Sequence, residues 1–225
     1  MATASRETLN VSEIFFSLQG EASRVGLPTV FVRLSGCPLR CVWCDTTHAF
    51  RGGTTLSISD ILAKAATHPV RRACVTGGEP LAQKGCLALL ARLCDQGYDV
   101  SLETSGALDI RPVDMRVSRI VDLKTPSSGE ADRNYVLIAD RGRALTARDE
   151  IKVVIADHAD YEWAKARLAE HRLYQRCPVL FSPVMREDGH GMTPRDLAGW
   201  ILADGLEARF QMQLHRLIWG NMRGK

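Results

Sequence analysis

Three cysteines fall within eight residues, in the stretch Gly36-Cys37-Pro38-Leu39-Arg40-Cys41-Val42-Trp43-Cys44-Asp45-Thr46, and no other feature limits the chain so sharply. Thiolate is a soft ligand that holds zinc, copper(I) or iron–sulfur iron, so three on one short loop point to a metal centre. Structural zinc usually takes four protein ligands, whereas a four-iron cube held by three cysteines leaves one iron open to a non-protein ligand. The residues leave two readings: a reactive cluster with an open corner, or a Cys3His zinc knot completed by His48.

Seven cysteines, an odd count with three clustered, suit metal binding in a reducing compartment better than a disulfide framework. Cys74, Cys86, Cys94 and Cys177 are scattered singly among apolar residues and read as small buried hydrophobes, with Cys86 and Cys94 expected on one buried helical stripe. The 225 residues fit one α/β domain, 1–225, with a sizeable core. A formal charge of +3 is too small and scattered to suggest nucleic acid, and the apolar runs are too short to span a membrane. Residues 1–10 carry no apolar core of a leader, so a cytoplasmic location is expected.

Apolar and β-branched runs predict strands at Val11–Leu18, Pro28–Ser35, Arg72–Thr76, Tyr98–Glu103, Arg119–Leu123, Glu150–Ile155, Pro178–Phe181 and Arg209–Leu214. Helical periodicity falls at Ser59–Ala66, from Pro80 to about Gln96, at Asp157–His171 and at Thr193–Ala203. Strands alternating with helices imply a parallel sheet. About six core parallel strands and only about four convincing helices are too few for eight βα units, so the expected fold is α/β, a partial, incomplete TIM-like barrel. In such a sheet ligands gather at the carboxyl ends of strands, where polar runs recur here: Gly77-Gly78-Glu79-Pro80, Glu103-Thr104-Ser105-Gly106, Asp122 to Ser128, and Gln213-Leu214-His215.

The Cys-x3-Cys-x2-Cys loop resembles the cluster loop of the radical S-adenosylmethionine (SAM) superfamily. There a [4Fe-4S] cluster takes three cysteines, SAM chelates the fourth iron, and an electron from the cluster cleaves SAM to a 5′-deoxyadenosyl radical. Gly77-Gly78-Glu79-Pro80, one βα unit further on, is similar to the superfamily's motif for the amino group of SAM. A zinc knot has no reason to carry it.

Across nearly its whole length the chain resembles the 7-carboxy-7-deazaguanine synthase family. The resemblance is carried by Phe16-Ser17-Leu18-Gln19-Gly20-Glu21, Phe31 to Cys37, Cys44-Asp45-Thr46, Glu103-Thr104-Ser105-Gly106, Asp122 to Gly129, and Gln213 to Gly220. It implies rearrangement of 6-carboxy-5,6,7,8-tetrahydropterin to 7-carboxy-7-deazaguanine with loss of ammonia and regeneration of SAM, in the biosynthesis of queuosine and related deazapurines. It also implies a homodimer, an electron donor such as flavodoxin or ferredoxin, and a magnesium ion.

Residue by residue, the resemblance gives Cys37, Cys41 and Cys44 to the cluster and Thr46 to magnesium. Gly77, Gly78, Glu79, Glu103, Ser105, Lys124, Ser127 and Lys152 go to SAM, and Gln19, Glu21, Arg33, Thr76 and His215 to the pterin. Read from chemistry alone, the Thr46 hydroxyl is more simply a cap on the loop. Pro38, Ala22 and Ser105 depart from the usual Asn, Gly and Asn of the family, and none of these removes a cluster ligand. Two other functions share parts of the pattern: a glycyl-radical-enzyme activase and a non-catalytic zinc-binding module.

Overall fold

In a computed structural model of the chain, which describes residues 7–185 and 192–225, nine strands form one open sheet in the order β3-β1-β2-β4-β5-β6-β7-β8-β9. The strands are β1 (Thr8–Leu18), β2 (Pro28–Leu34), β3 (Thr54–Ser57), β4 (Arg72–Gly77), β5 (Asp99–Thr104), β6 (Ser118–Leu123), β7 (Glu150–Ile155), β8 (Val179–Pro183) and β9 (Arg209–Phe210). From β2 to β9 every pairing is parallel, while β1 pairs antiparallel with β2 and with β3. The sheet does not close on itself, which is the partial barrel expected from the strand and helix count.

Helices α1 (Ile58–Ala66), α2 (Gly85–Asp95), α4 (His158–Glu170) and α5 (Pro194–Asp204) cover the outer face, joined by the short α3 (Tyr135–Ile138) and α6 (Leu214–Trp219). Their starts are chemically marked: Ser57, Asp157 and Thr193 each accept a hydrogen bond from a first-turn backbone N–H. Two apolar clusters follow. Val30, Val32 and Leu34 of β2, with Val75 and Leu102, pack beneath α1 and α2, while Val121, Ile151, Val153 and Phe181 pack against α4 and α5.

Four expectations change. β3 was not expected; its run Thr54-Thr55-Leu56-Ser57 is short and largely polar, and it exists because β1 offers it an edge. The helix expected from Pro80 is broken into a 3₁₀ turn, Pro80–Ala82, and α2. Gln83 between them is extended, its amide donating to the carbonyls of Asn10 and Ser35 and accepting from Asn10 N–H, so tertiary bonds replace the helical ladder. The last strand ends after two residues, because Leu214 N–H turns to the Gly20 carbonyl and opens α6. Cys86 is fully buried but Cys94 only partly, since eight residues carry a helix about 80° past two full turns. Residues 1–6, part of the stretch searched for a leader, lie outside the described residues, and among those described no helix is long and apolar enough to cross a membrane.

Candidate active site

Side chains alternate across a strand, so residues whose neighbours build the core point the other way, into the sheet's inner face. Arg33 on β2, Thr76 on β4, Glu103 on β5, Asp122 on β6 and Lys152 on β7 obey this rule, and all line one cavity. They form a polar band across five consecutive parallel strands. The cysteine loop crosses above it, with Cys37, Cys41, Cys44 and Thr46 on the same cavity wall.

The loop is seated by backbone. Gly78 N–H donates to Leu34 O and Glu79 N–H to Gly36 O, lacing the end of β4 to the entry of the loop. A Cβ on Gly77 would lie 2.2 Å from Leu34 O, and one on Gly78 would lie 2.3 Å from Gly36 O and 2.7 Å from the Cys37 Cβ. The two glycines are therefore required by the close approach of the cysteine loop as well as by any ligand. On the outer side Val42 N–H donates to Ser128 O, and the Arg40 guanidinium lies over the Phe50 ring.

Burial raises the pKa of Cys37 and Cys41, so both are ordinary thiols until a metal takes them. Among the described residues no three His, Cys, Asp or Glu side chains already stand converged on one metal position. Closure of a ligand loop is coupled to metal binding, and a donor set of three thiols on one cavity wall fits a cluster with an open corner. His48 does not extend that set: its Nε2 is 3.4 Å from Glu13 Oε1, so the ring faces a carboxylate.

Thr46 stands before the 3₁₀ turn Thr47–Ala49, yet its side chain makes no capping bond. Among the described residues its hydroxyl meets Cys44 Sγ at 3.8 Å. The Thr46 side chain thus does not cap the 3₁₀ turn, and within the loop it reaches the Cys44 sulfur.

Glu103 links two halves of the site: its oxygens accept from Gln19 Nε2 at 3.2 Å and Thr76 Oγ1 at 2.8 Å. Glu21, almost fully buried, accepts from Gln213 Nε2 at 2.9 Å and Lys152 Nζ at 2.7 Å. Lys152 also lies 3.4 Å from Asp122 Oδ2, which Lys124 Nζ meets at 2.9 Å. The row Lys124–Asp122–Lys152–Glu21 alternates in sign. Burial disfavours charge on both lysines, but their carboxylate neighbours outweigh it and raise both pKa values. Burial likewise opposes the Asp122 charge, and Lys124 and Lys152 prevail to lower its pKa.

Arg33 donates Nε–H to Glu13 Oε1 at 2.7 Å, beside the stacked pair Phe15 and Phe31. His215 reaches the cavity from α6, not from a strand, with Nε2 3.9 Å from Asp45 Oδ2. Burial opposes the Asp45 charge, but His215, Lys152 and Arg33 hold its carboxyl well below the usual range.

Two expected ligand residues stand apart from the cavity lining. The Glu79 carboxylate is fully buried and accepts from Leu81 N–H, Thr104 Oγ1, and the N–H and hydroxyl of Ser105, tying the ends of β4 and β5 together. Ser127 is turned to the start of α4, its N–H bonding Asp160 and its hydroxyl Asp157. Conversely, Glu13, Asp45 and Asp122 line the cavity and carry no assigned ligand role from sequence, and His48, considered above as a zinc ligand, lines it beside Glu13. For Asp45 and Asp122 the only signal was their place inside motifs; for Glu13 there was none.

A three-cysteine loop over the carboxyl ends of a partial β/α barrel defines a radical SAM enzyme, and residues 31–124 match the family described as the Radical SAM superfamily. The 7-carboxy-7-deazaguanine synthase of Chlorobaculum tepidum is 44% identical over 94% of each chain, and that of Koribacter versatilis is 42% identical over 94% of this chain and 97% of its own. The crystal structure of QueE from Escherichia coli superposes with a TM-score of 0.72 at 25% identity, covering 92% of this chain and 95% of that one. The chain belongs to the 7-carboxy-7-deazaguanine synthase family. A [4Fe-4S] cluster and SAM follow from that membership.

Proposed function

We propose that the chain converts 6-carboxy-5,6,7,8-tetrahydropterin to 7-carboxy-7-deazaguanine and ammonia, regenerating SAM, in cytoplasmic deazapurine biosynthesis. The product is the substrate less one ammonia, so the overall change is redox-neutral and a recycled radical initiator suffices. The polar band of Arg33, Thr76, Glu103, Asp122 and Lys152 beneath the cysteine loop supports this reading above all.

Cys37, Cys41 and Cys44 would hold the cluster, which together with SAM would supply the one-electron chemistry. This chain's residues bind and orient. Gly77 and Gly78 offer backbone groups at the end of β4, and Glu79 acts by holding the Ser105 turn in place. Ser105, Lys124 and Glu103 face SAM, with Lys124 the nearest of the buried cations to Cys41 in electrostatic effect. Ser127 serves through the loop that Ser128 ties to Val42.

On the pterin side, Arg33 keeps its terminal guanidinium nitrogens for a carboxylate or carbonyl oxygen, since only Nε is bonded to Glu13. Gln19, Glu21, Thr76 and His215 present the mixed donors and acceptors that an amide-like ring requires. Lys152, on Glu21, belongs to the wall shared by both ligands. The Thr46 hydroxyl, whose contact to Cys44 Sγ is a long 3.8 Å, is a hard donor suited to a magnesium ion that also takes the substrate carboxylate and waters. The homodimer is carried by the family resemblance. Val42, 75% exposed on the cysteine loop, leaves a surface where a flavodoxin or ferredoxin can deliver an electron.

Anaerobically reconstituted protein given SAM, magnesium, a reductant and the carboxypterin should form the deazaguanine and ammonia in equal amounts. Iron-loaded protein that cleaves SAM but forms no deazaguanine would refute the assignment.

A further inference from the structure

Glu13 reaches the cavity through an irregularity in the sheet. Leu9 and Val11 of β1 pack in the apolar cluster on the outer face, and so do Ile14 and Phe16, so the parity of the outward positions changes between them. The cause is a bulge: Val11 pairs with Leu34 and Glu13 with Arg33, two steps along β1 against one along β2. With regular pairing Glu13 would share the face of Val11 and press a carboxylate into the apolar cluster. The bulge turns it to the inner face beside Arg33, a re-aiming that bulges next to active sites commonly perform.

There one carboxylate oxygen is held from two sides. Glu13 Oε1 accepts Nε–H of Arg33 at 2.7 Å, and Nε2 of His48, on the turn that follows the cysteine loop, lies 3.4 Å from the same atom. Phe15 stacks on Phe31 with ring centroids 4.9 Å apart, and the Arg33 guanidinium carbon lies 5.6 Å from the centre of the Phe15 ring. The side chains of Arg33 and Glu13 are only 15% and 17% exposed. The guanidinium is thus fixed at Nε and along one face. Among the described residues its Nη1 and Nη2 meet no acceptor, and neither is shielded from solvent, so both are presented to the cavity that Arg33 lines.

We propose that Glu13 is a positioning residue: by holding Nε, it aims the two terminal nitrogens of Arg33 as a fork at the carboxylate of the bound pterin. This rests on the family reading, which puts a carboxypterin in the cavity and Arg33 against it, and it adds the residue that sets the direction of that contact. A free arginine samples many rotamers, and its planar fork recognises a carboxylate only in a set direction.

A purely electrostatic role for Glu13 predicts the reverse effect. A carboxylate beside Arg33 repels an anionic ligand, so on charge alone its removal would tighten binding of the carboxypterin. Positioning requires that its removal weaken that binding, and only for a ligand that carries the carboxylate.

Fluorescence titrations on anaerobic, iron-loaded protein with saturating SAM and magnesium measure dissociation constants for two oxidised analogues, 6-carboxypterin and pterin without the carboxylate. Wild type should prefer 6-carboxypterin; equal binding would leave Arg33 no carboxylate to meet and overturn the proposal. Glu13→Ala should weaken 6-carboxypterin about 10-fold, the size of one lost charge-assisted hydrogen bond, and leave pterin within about twofold. Glu13→Gln keeps an acceptor for Nε–H and should return 6-carboxypterin to within about threefold of wild type. In an Arg33→Ala background, Glu13→Ala should change neither constant by more than about twofold. Unchanged or tighter 6-carboxypterin binding in Glu13→Ala overturns the proposal, and so does an equal loss for both pterins, which is general distortion of the pocket. In either case wild-type formation of the deazaguanine leaves the family reading standing, whereas a wild type that binds neither pterin and forms no deazaguanine removes both. Should Glu13→Ala fail to load iron, Glu13→Met, which fills the space without an accepting oxygen, takes the same titrations with the same outcomes.

Discussion

Replacing Gly20 by Ala probes whether α6 is held against the sheet in the arrangement that brings His215 into the site. Gly20 follows β1, and a Cβ there would lie 2.0 Å from Nδ1, 2.8 Å from Cγ and 3.1 Å from Cβ of His215. Ordinary van der Waals contact begins at 3.4 Å, so the ring must retreat by the difference, about 1.4 Å. It has little room, because Leu214 N–H donates to Gly20 O at 3.0 Å and Asp45 draws the far side of the ring. Overpacking of this kind costs about 1–3 kcal/mol, a fall of roughly 2–12 °C in the melting temperature of a domain this size. Displacing a site residue by about an ångström typically costs on the order of 100-fold in rate. Thermal melts and kcat/KM for the carboxypterin should therefore both fall, with iron content unchanged. Adding His215→Ala to Gly20→Ala removes the two ring contacts and leaves the 3.1 Å approach of the Cβ atoms, so it should restore most of the melting temperature but not the turnover. A Gly20→Ala protein with wild-type stability and kcat/KM would refute the account of how α6 is seated.

Cys41→Ala should leave protein that cannot hold a four-iron cluster and does not cleave SAM; iron analysis and release of 5′-deoxyadenosine check this, and wild-type cleavage would contradict the cluster assignment. Thr46→Ala should weaken the dependence of turnover on added magnesium while leaving iron content intact, because its hydroxyl makes no capping bond to lose. An unchanged magnesium titration would remove Thr46 from the metal site. Ala22 adopts φ +64°, a left-handed conformation that disfavours a Cβ, and Ala22→Gly should stabilise the fold by about 0.5–1 kcal/mol. A rise of roughly 1–4 °C in melting temperature is the expected reading, and a fall would show that Ala22 packing outweighs backbone strain.

The Gly at this position in the family pattern, noted from sequence only as a departure, thus has a backbone cause that the sequence could not reveal. The same holds for Gly77 and Gly78. Motif reading associated them with a ligand, and the structure adds that Leu34 and the cysteine loop press against them. Glu79 shows the opposite case: its motif placed it beside SAM, while Thr104 and Ser105, 25 and 26 residues away, engage its carboxylate.

What the chain by itself determined is the part encoded locally. The cysteine spacing, the apolar and β-branched runs of the strands and the capping residues of α1, α4 and α5 act over a few residues, and each specified its element wherever the tertiary structure did not compete. What only the folded sheet decided is which side chains meet. Glu13 joins Arg33 across the bulged β1–β2 pairing, Lys152 meets a carboxylate 131 residues earlier, and Asp122 stands between two lysines. Such pairings depend on strand order and register, which arise from burying two apolar faces at once, and a linear pattern of residues carries no record of the distance between its distant parts.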